Sequence, residues 1–192
     1  MQPLILASSS AYRRELLARL KLDFTCHAPD IDESALAGEP PATLVERLAC
    51  NKARAILQAH PDAVVIGSDQ VAALDDQLLT KPMSVPVAHQ QLQSCSGREV
   101  IFYTGLCITS NQQTLYRLST TRVKFRELTE KQIHNYISAE MPLDCAGSFK
   151  CEGLGIALFE RVSSDDPTAL IGLPLIALTD LLASFGIAPL GA

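Results

Sequence analysis

The sequence predicts an α/β protein built on a mixed sheet, and three observations carry that expectation. Short strand-like runs alternate with helical patterns along the whole chain. Two long β-rich segments, 99–109 and 114–125, flank the turn residues SNQQ and predict a hairpin among the crossover units. The chain has 192 residues, 47% of them apolar, enough for one well-cored domain or two small lobes.

In order, PLILAS (3–8) reads as a short buried strand. A helical pattern follows from Ser10, a plausible N-cap, with Leu16, Leu17 and Leu20 on one face. A short strand near 24–27 leads into the acidic loop PDIDES, and GEPP (38–41) turns into a helix over about 43–59. AVVIGSDQVAAL (63–74) is apolar and β-rich, with an interruption expected at Gly67–Gln70. A turn and short strand over 75–82 precede a helix at 84–95. After the hairpin, Thr129 caps a helix of about 130–139, and a Gly-rich stretch carries one or two further strands. A Gly-Leu-Pro break then opens a last helix over about 174–185. There is no internal repeat and no low-complexity stretch, and 1–192 is expected to act as a single domain.

Composition excludes several function classes. Net charge is −5 and no Lys/Arg run exceeds two residues, which argues against a duplex-binding surface but leaves room for a small basic pocket. No signal peptide is read in MQPLILASSS, and no segment has the roughly 18 uninterrupted apolar residues of a membrane span. The six cysteines show no C-x-x-C spacing and read as scattered thiols of a reducing cytoplasm, so a cytoplasmic location is expected. The four histidines are dispersed, without zinc spacing, and no G-x-S-x-G elbow is present.

The functional signal lies in charges at awkward places. LILASSSAYRREL puts Arg13 and Arg14 in the first turn of a helix, against the positive end of its dipole. A phosphate held by the amides of residues 8–12, the hydroxyls of Ser8 and Ser10, and both arginines would resolve that conflict. Lys52 lies on the apolar stripe marked by Leu44, Leu48 and Ile56, where a lysine either snorkels or reaches across a cleft. Asp69 sits in a stretch suited to burial and calls for a cation, with Lys52, Lys81 or a divalent metal as candidates. Asp30, Asp32 and Glu33 crowd one loop and suit a hard cation such as Mg²⁺ or Mn²⁺, or a solvated turn.

S-S-S-x-x-R-R (8–14), D-E (32–33), N-K-A (51–53), G-S-D-Q (67–70), K-P (81–82) and G-L-P-L (172–175) occur in that order over essentially the whole chain. This series resembles the Maf family of nucleoside triphosphate pyrophosphatases. The resemblance implies an elongated mixed β-sheet flanked by helices, with two lobes around a central cleft, akin to inosine-triphosphate pyrophosphatases. It implies hydrolysis between the α- and β-phosphates with a divalent metal, and a homodimer. By the same likeness Asp69 is the proton acceptor for the attacking water, and Ser8, Arg13, Lys52 and Lys81 handle phosphate. Glu33 lies near metal or phosphate, so Glu33 and Asp69 are the expected metal ligands. Tyr12, Gln70 and Glu152 are similar to the branch that acts on 7-methyl-GTP, whereas the dTTP/UTP branch carries Arg, Thr and Gln there. Stacking of Tyr12 on a cationic methylated purine and hydrogen bonds from guanine to Glu152 would suit that branch. The competing readings are a dTTP/UTP pyrophosphatase and a nucleotide-sensing regulator of cell division without useful turnover.

Overall fold

Period-two alternation builds the centre of the molecule. In the computed structural model, which describes residues 2–75 and 77–191, β1 (Leu4–Ala7) and β3 (Val64–Leu74) pair in parallel, Leu4 beside Val64 and Ala7 beside Gly67. Successive strand residues point to opposite faces. Ile5, Ala7, Val65 and Cys107 therefore share one face and pack with Ala49, Ala53 and Ile56 of α2 (Pro41–Ala59). Leu4, Leu6, Val64, Ile66, Leu106 and Ile108 share the other, packing with Leu16 and Leu17 of α1 (Ala11–Ala18) and Leu178, Leu181 and Leu182 of α5 (Leu175–Ala183). Each fully buried Leu or Ile of this kind contributes about 1.5–3 kcal/mol relative to exposure.

The remaining elements are β2 (Thr25–His27), β4 (Gln77–Leu79), α3 (Val85–Cys95), β5 (Glu99–Thr109), β6 (Thr114–Phe125), α4 (Glu130–Glu140) and β7 (Phe159–Ser163). The seven strands form one mixed, open sheet in the order β2-β1-β3-β5-β6-β7, with β4 on β3. β1 runs parallel to both neighbours, while β4 on β3 and β7 on β6 are antiparallel. The expected hairpin limits at 99–109 and 114–125 match β5 and β6. Thr129 caps α4 in a reciprocal box with Gln132, as its position before the helix predicts. Among the described residues no helix is long and apolar enough to cross a membrane.

By contact the chain divides into two compact units. The first holds residues up to 70, 104–119 and those from 166 onward; the second holds 71–103 and 120–165. The second unit is centred on Phe102, Phe125, Phe149 and Phe159, whose rings meet edge to face at 4.8–5.7 Å.

The interruption expected at Gly67–Gln70 is absent: β3 runs unbroken through it. Gly67 serves packing instead of a turn. A Cβ there would lie 2.2 Å from the Ala49 carbonyl oxygen and 2.9 Å from the Ala53 side chain. Gly105 on β5 plays the same part, since a Cβ would lie 2.6 Å from the Val45 carbonyl oxygen. Two glycines thus let the backbone of α2 rest directly on the sheet. Gly67→Ala should force the helix away and lower unfolding stability by about 1–3 kcal/mol, read from denaturant midpoints.

Candidate active site

The contact at Gly67 decides where Lys52 goes. Asp69 lies two residues beyond Gly67 and so points to the same face of β3, toward α2. Lys52, one turn along from Ala49 and Leu48, reaches over the sheet at that point. Its ammonium donates to Asp69 Oδ1 and to Glu33 Oε2, both at 2.7 Å. The lysine and aspartate side chains are 6% and 8% exposed and the glutamate is 54% exposed. Taken alone, a buried carboxylate or ammonium would cost several kcal/mol, so each supplies the other's reason for being there. β1 pairs with β3 only as far as Gly67 and β4 only from Ala72, so Ser68–Val71 pair with neither.

Glu33 arrives on an anchored loop. Arg47 of α2 grips Glu39 through two bonds of 2.7 Å and also donates to the Ser34 carbonyl. Glu39 in turn accepts from the Leu36 amide, and Arg47 holds its carboxyl down to about 2. Asp32 accepts from the Ser34 amide, so it serves its own turn, while Asp30 is exposed.

Arg13 completes the charge cluster. Its Nε donates to the Gly172 carbonyl at 2.8 Å. Burial pulls its pKa below the ordinary value, with Asp69 and Glu33 acting in the opposite direction. Among the described residues its two terminal nitrogens have no hydrogen-bond acceptor, and neither has the third N–H of Lys52. Both cations therefore keep donors for an anion.

Ser10 is the N-cap of α1, as expected, accepting from the Arg13 amide. The amide cradle is smaller than residues 8–12 suggest. The Ser8 amide bonds the Leu6 carbonyl and the Ser10 amide bonds Ser8 Oγ, so two of the five are spent within the protein. Arg14 is exposed and has no part in the Arg13–Lys52–Asp69–Glu33 cluster. Tyr12 is half-buried on the first turn. Lys81 and Glu152 are exposed residues of the second unit, and Glu152 accepts a bond from the Cys151 thiol at 3.2 Å.

Gln70 behaves differently from a residue that meets only a ligand. It points to the face opposite Asp69, and its amide nitrogen lies 2.8 Å from the Ala169 carbonyl, 3.1 Å from that of Leu170 and 3.0 Å from Thr104 Oγ1. Ser68 Oγ, also on that face, lies 2.9 Å from the carbonyls of Gly105 and Gly172. Asp166 accepts from the amides of Ile176 and Ala177 and from Thr168, fixing the entry to α5. Sequence reading missed Ser68, Thr104, Asp166 and Thr168. The one signal that pointed toward them was Gly-Leu-Pro-Leu at 172–175, because Gly172 holds φ at +116° and its carbonyl receives Arg13.

A 7-methyl-GTP pyrophosphatase of Pseudomonas putida is 53% identical over 189 residues, covering 97% of this chain and 98% of that protein. One from Nitrosococcus oceani is 55% identical, covering 95% and 93%. One from Vibrio cholerae is 52% identical, covering 96% of each. Among solved structures, the Ham1 protein of Staphylococcus aureus overlaps 66% of this chain and 73% of its own at a TM-score of 0.46 and 14% identity, too loose a match to bear on the site. The family described as Maf-like protein matches residues 3–185. The chain belongs to the Maf family.

Proposed function

We propose that the protein is a nucleoside triphosphate pyrophosphatase that hydrolyses 7-methyl-GTP to 7-methyl-GMP and pyrophosphate. The observation that carries the chemistry is the Lys52 ammonium, buried between Asp69 and Glu33 with one N–H still to give. The relatives named for this activity, more than half identical over nearly their full length, support the substrate.

Water attack on a phosphoanhydride needs an oriented nucleophile and positive charge on the phosphate oxygens. Asp69 supplies the first. One carboxylate oxygen is fixed by Lys52, which leaves the other to accept from a water and align it with the α-phosphorus. Lys52 and Arg13 supply the second through their remaining N–H groups. Ser8, whose hydroxyl oxygen already accepts from the Ser10 amide, can donate its own proton to phosphate. Lys81 adds a further cation, and Tyr12 and Glu152 select the base, as the resemblance implies.

The donors also fit a divalent cation. Asp69 and Glu33 each commit one oxygen to Lys52 and retain a second, and Mg²⁺ is commonly held by one or two carboxylates with phosphate and water completing the shell. Among the described residues no group of three or more His, Cys, Asp or Glu is placed to hold a metal, so substrate oxygens would complete the set. Bound there, the ion would neutralise phosphate charge.

Pyrophosphate release from 7-methyl-GTP, GTP, dTTP and UTP, with and without Mg²⁺, tests this reading. The methylated nucleotide should give the highest kcat/KM, and preference for a pyrimidine would overturn the substrate while leaving the phosphate chemistry. Asp69→Asn should keep the fold and lose turnover by roughly 10²-fold or more; full activity would show that the base lies elsewhere. Glu152→Gln should raise UTP hydrolysis relative to 7-methyl-GTP, and an unchanged ratio would remove Glu152 from base selection.

A further inference from the structure

Helix α4 ends on a carboxylate. Glu140 is its last residue, at the negative end of the helix dipole, where a lysine would suit stability better. Contacts with one short segment of the same unit, residues 150–155, account for the placement. The Lys150 ammonium reaches the Glu140 carbonyl at 3.4 Å, and Glu140 Oε1 accepts from the Leu154 amide at 2.7 Å. One turn back along α4, the hydroxyl of the buried Tyr136 accepts from the Lys150 amide at 3.0 Å. The helix thus grips the segment at Lys150 and again at Leu154. Between the grips the segment closes on itself, the Lys150 carbonyl accepting from the amides of Gly153 and Gly155 at 3.2 and 3.1 Å. A Cβ at Gly155 would lie 2.3 Å from that carbonyl oxygen, and one at Gly153 would lie 2.7 and 3.1 Å from the two carboxylate oxygens of Glu140. The residues carried on this turn are Cys151 and Glu152. Glu152 Oε2 accepts from the Cys151 thiol at 3.2 Å, and among the described residues Oε1 has no partner.

We propose that Glu140 and Tyr136 are positioning residues for base selection, clamping the 150–155 turn so that the Glu152 carboxylate is held in one place and orientation. This rests on the pyrophosphatase reading and on Glu152 as a selector of the base within it. Guanine presents an N–H and an amino group side by side, and a carboxylate meets both best when its plane is fixed. Each carboxylate oxygen has two acceptor sites, so the Cys151 thiol does not exhaust Oε2. Without the clamp, the turn and its exposed glutamate must be ordered each time a guanine nucleotide binds. Uracil has no such pair of donors. The loss therefore falls on guanine nucleotides and spares UTP.

The test compares Glu140→Ala, which removes the acceptor, with Glu140→Gln, which keeps an oxygen in its place, and with Tyr136→Phe, which removes only the hydroxyl. Glu140→Ala and Tyr136→Phe should each lower kcat/KM for 7-methyl-GTP by roughly 3- to 10-fold for the lost hydrogen bond, and leave that for UTP unchanged. Glu140→Gln should retain most of the preference. In a Glu152→Gln background neither Glu140→Ala nor Tyr136→Phe should shift the 7-methyl-GTP to UTP ratio further, because the carboxylate they hold is gone. Equal losses on both nucleotides would mean that the clamp serves stability or turnover alone. A ratio shift that persists without the Glu152 carboxylate would mean that selection runs through another group. Either result overturns the proposal. Amide exchange at Leu154 in the nucleotide-free protein should quicken in Glu140→Ala, and unchanged protection would overturn the clamp itself. A wild-type chain that released no pyrophosphate from any of these nucleotides would sink the pyrophosphatase reading alone; the same ratio, taken from dissociation constants, would then decide the proposal.

Discussion

A lysine ammonium shared by two carboxylates governs this site. Lys52 could not be buried on α2 without Asp69, and Asp69 could not stand in the middle of β3 without Lys52. Glu33 adds a second negative charge and Arg13 a second positive one, so the cluster is balanced before any substrate arrives. A triphosphate then brings several more negative charges. The four side chains alone leave that excess uncompensated, which is the electrostatic reason the proposed chemistry includes a divalent cation and the further charge of Lys81.

The fold delivers this cluster through two features of the sheet. Alternation along β3 sends Gly67 and Asp69 to the α2 face and Ser68 and Gln70 to the other, so four consecutive residues serve two different tasks. The missing side chains at Gly67 and Gly105 then set the height of α2 above the sheet. A lysine side chain has limited reach, and a helix held this close lets its ammonium come to 2.7 Å from Asp69 while its stem stays packed. On the opposite face the same economy applies to polar groups: Ser68, Thr104 and Gln70 all end on backbone carbonyls of the turn before α5 or its neighbours.

Much of this was legible in the sequence, and the illegible part has a physical pattern. Alternation and turn residues placed β5 and β6 to the residue, and Lys52 betrayed itself by occupying an apolar stripe. Asp69 advertised a cation because it stands in an otherwise apolar, β-rich stretch suited to burial. The misreadings came where one local signal has two causes. Gly67-Ser68 looks like a turn, but a glycine is equally demanded by a helix pressed against a strand. Arg13 and Arg14 look alike in sequence, yet among the described residues only the Arg13 side chain meets a carbonyl, because Gly172 comes from 159 residues away. Thr104, Ser68, Asp166 and Thr168 carry no local mark at all. A buried hydroxyl or a helix-capping carboxylate reads as an ordinary strand or loop residue until tertiary structure supplies its partner.

Everything here depends on Lys52 and Asp69 sharing their burial, and a double-mutant cycle on stability measures that directly. Unfolding free energies of the wild type, Lys52→Met, Asp69→Asn and the double variant give the coupling without reference to any substrate. The account predicts that Lys52→Met costs about 3–5 kcal/mol by stranding a carboxylate, and that adding Asp69→Asn recovers a large part of it. Strictly additive losses, or a harmless Lys52→Met, would contradict it.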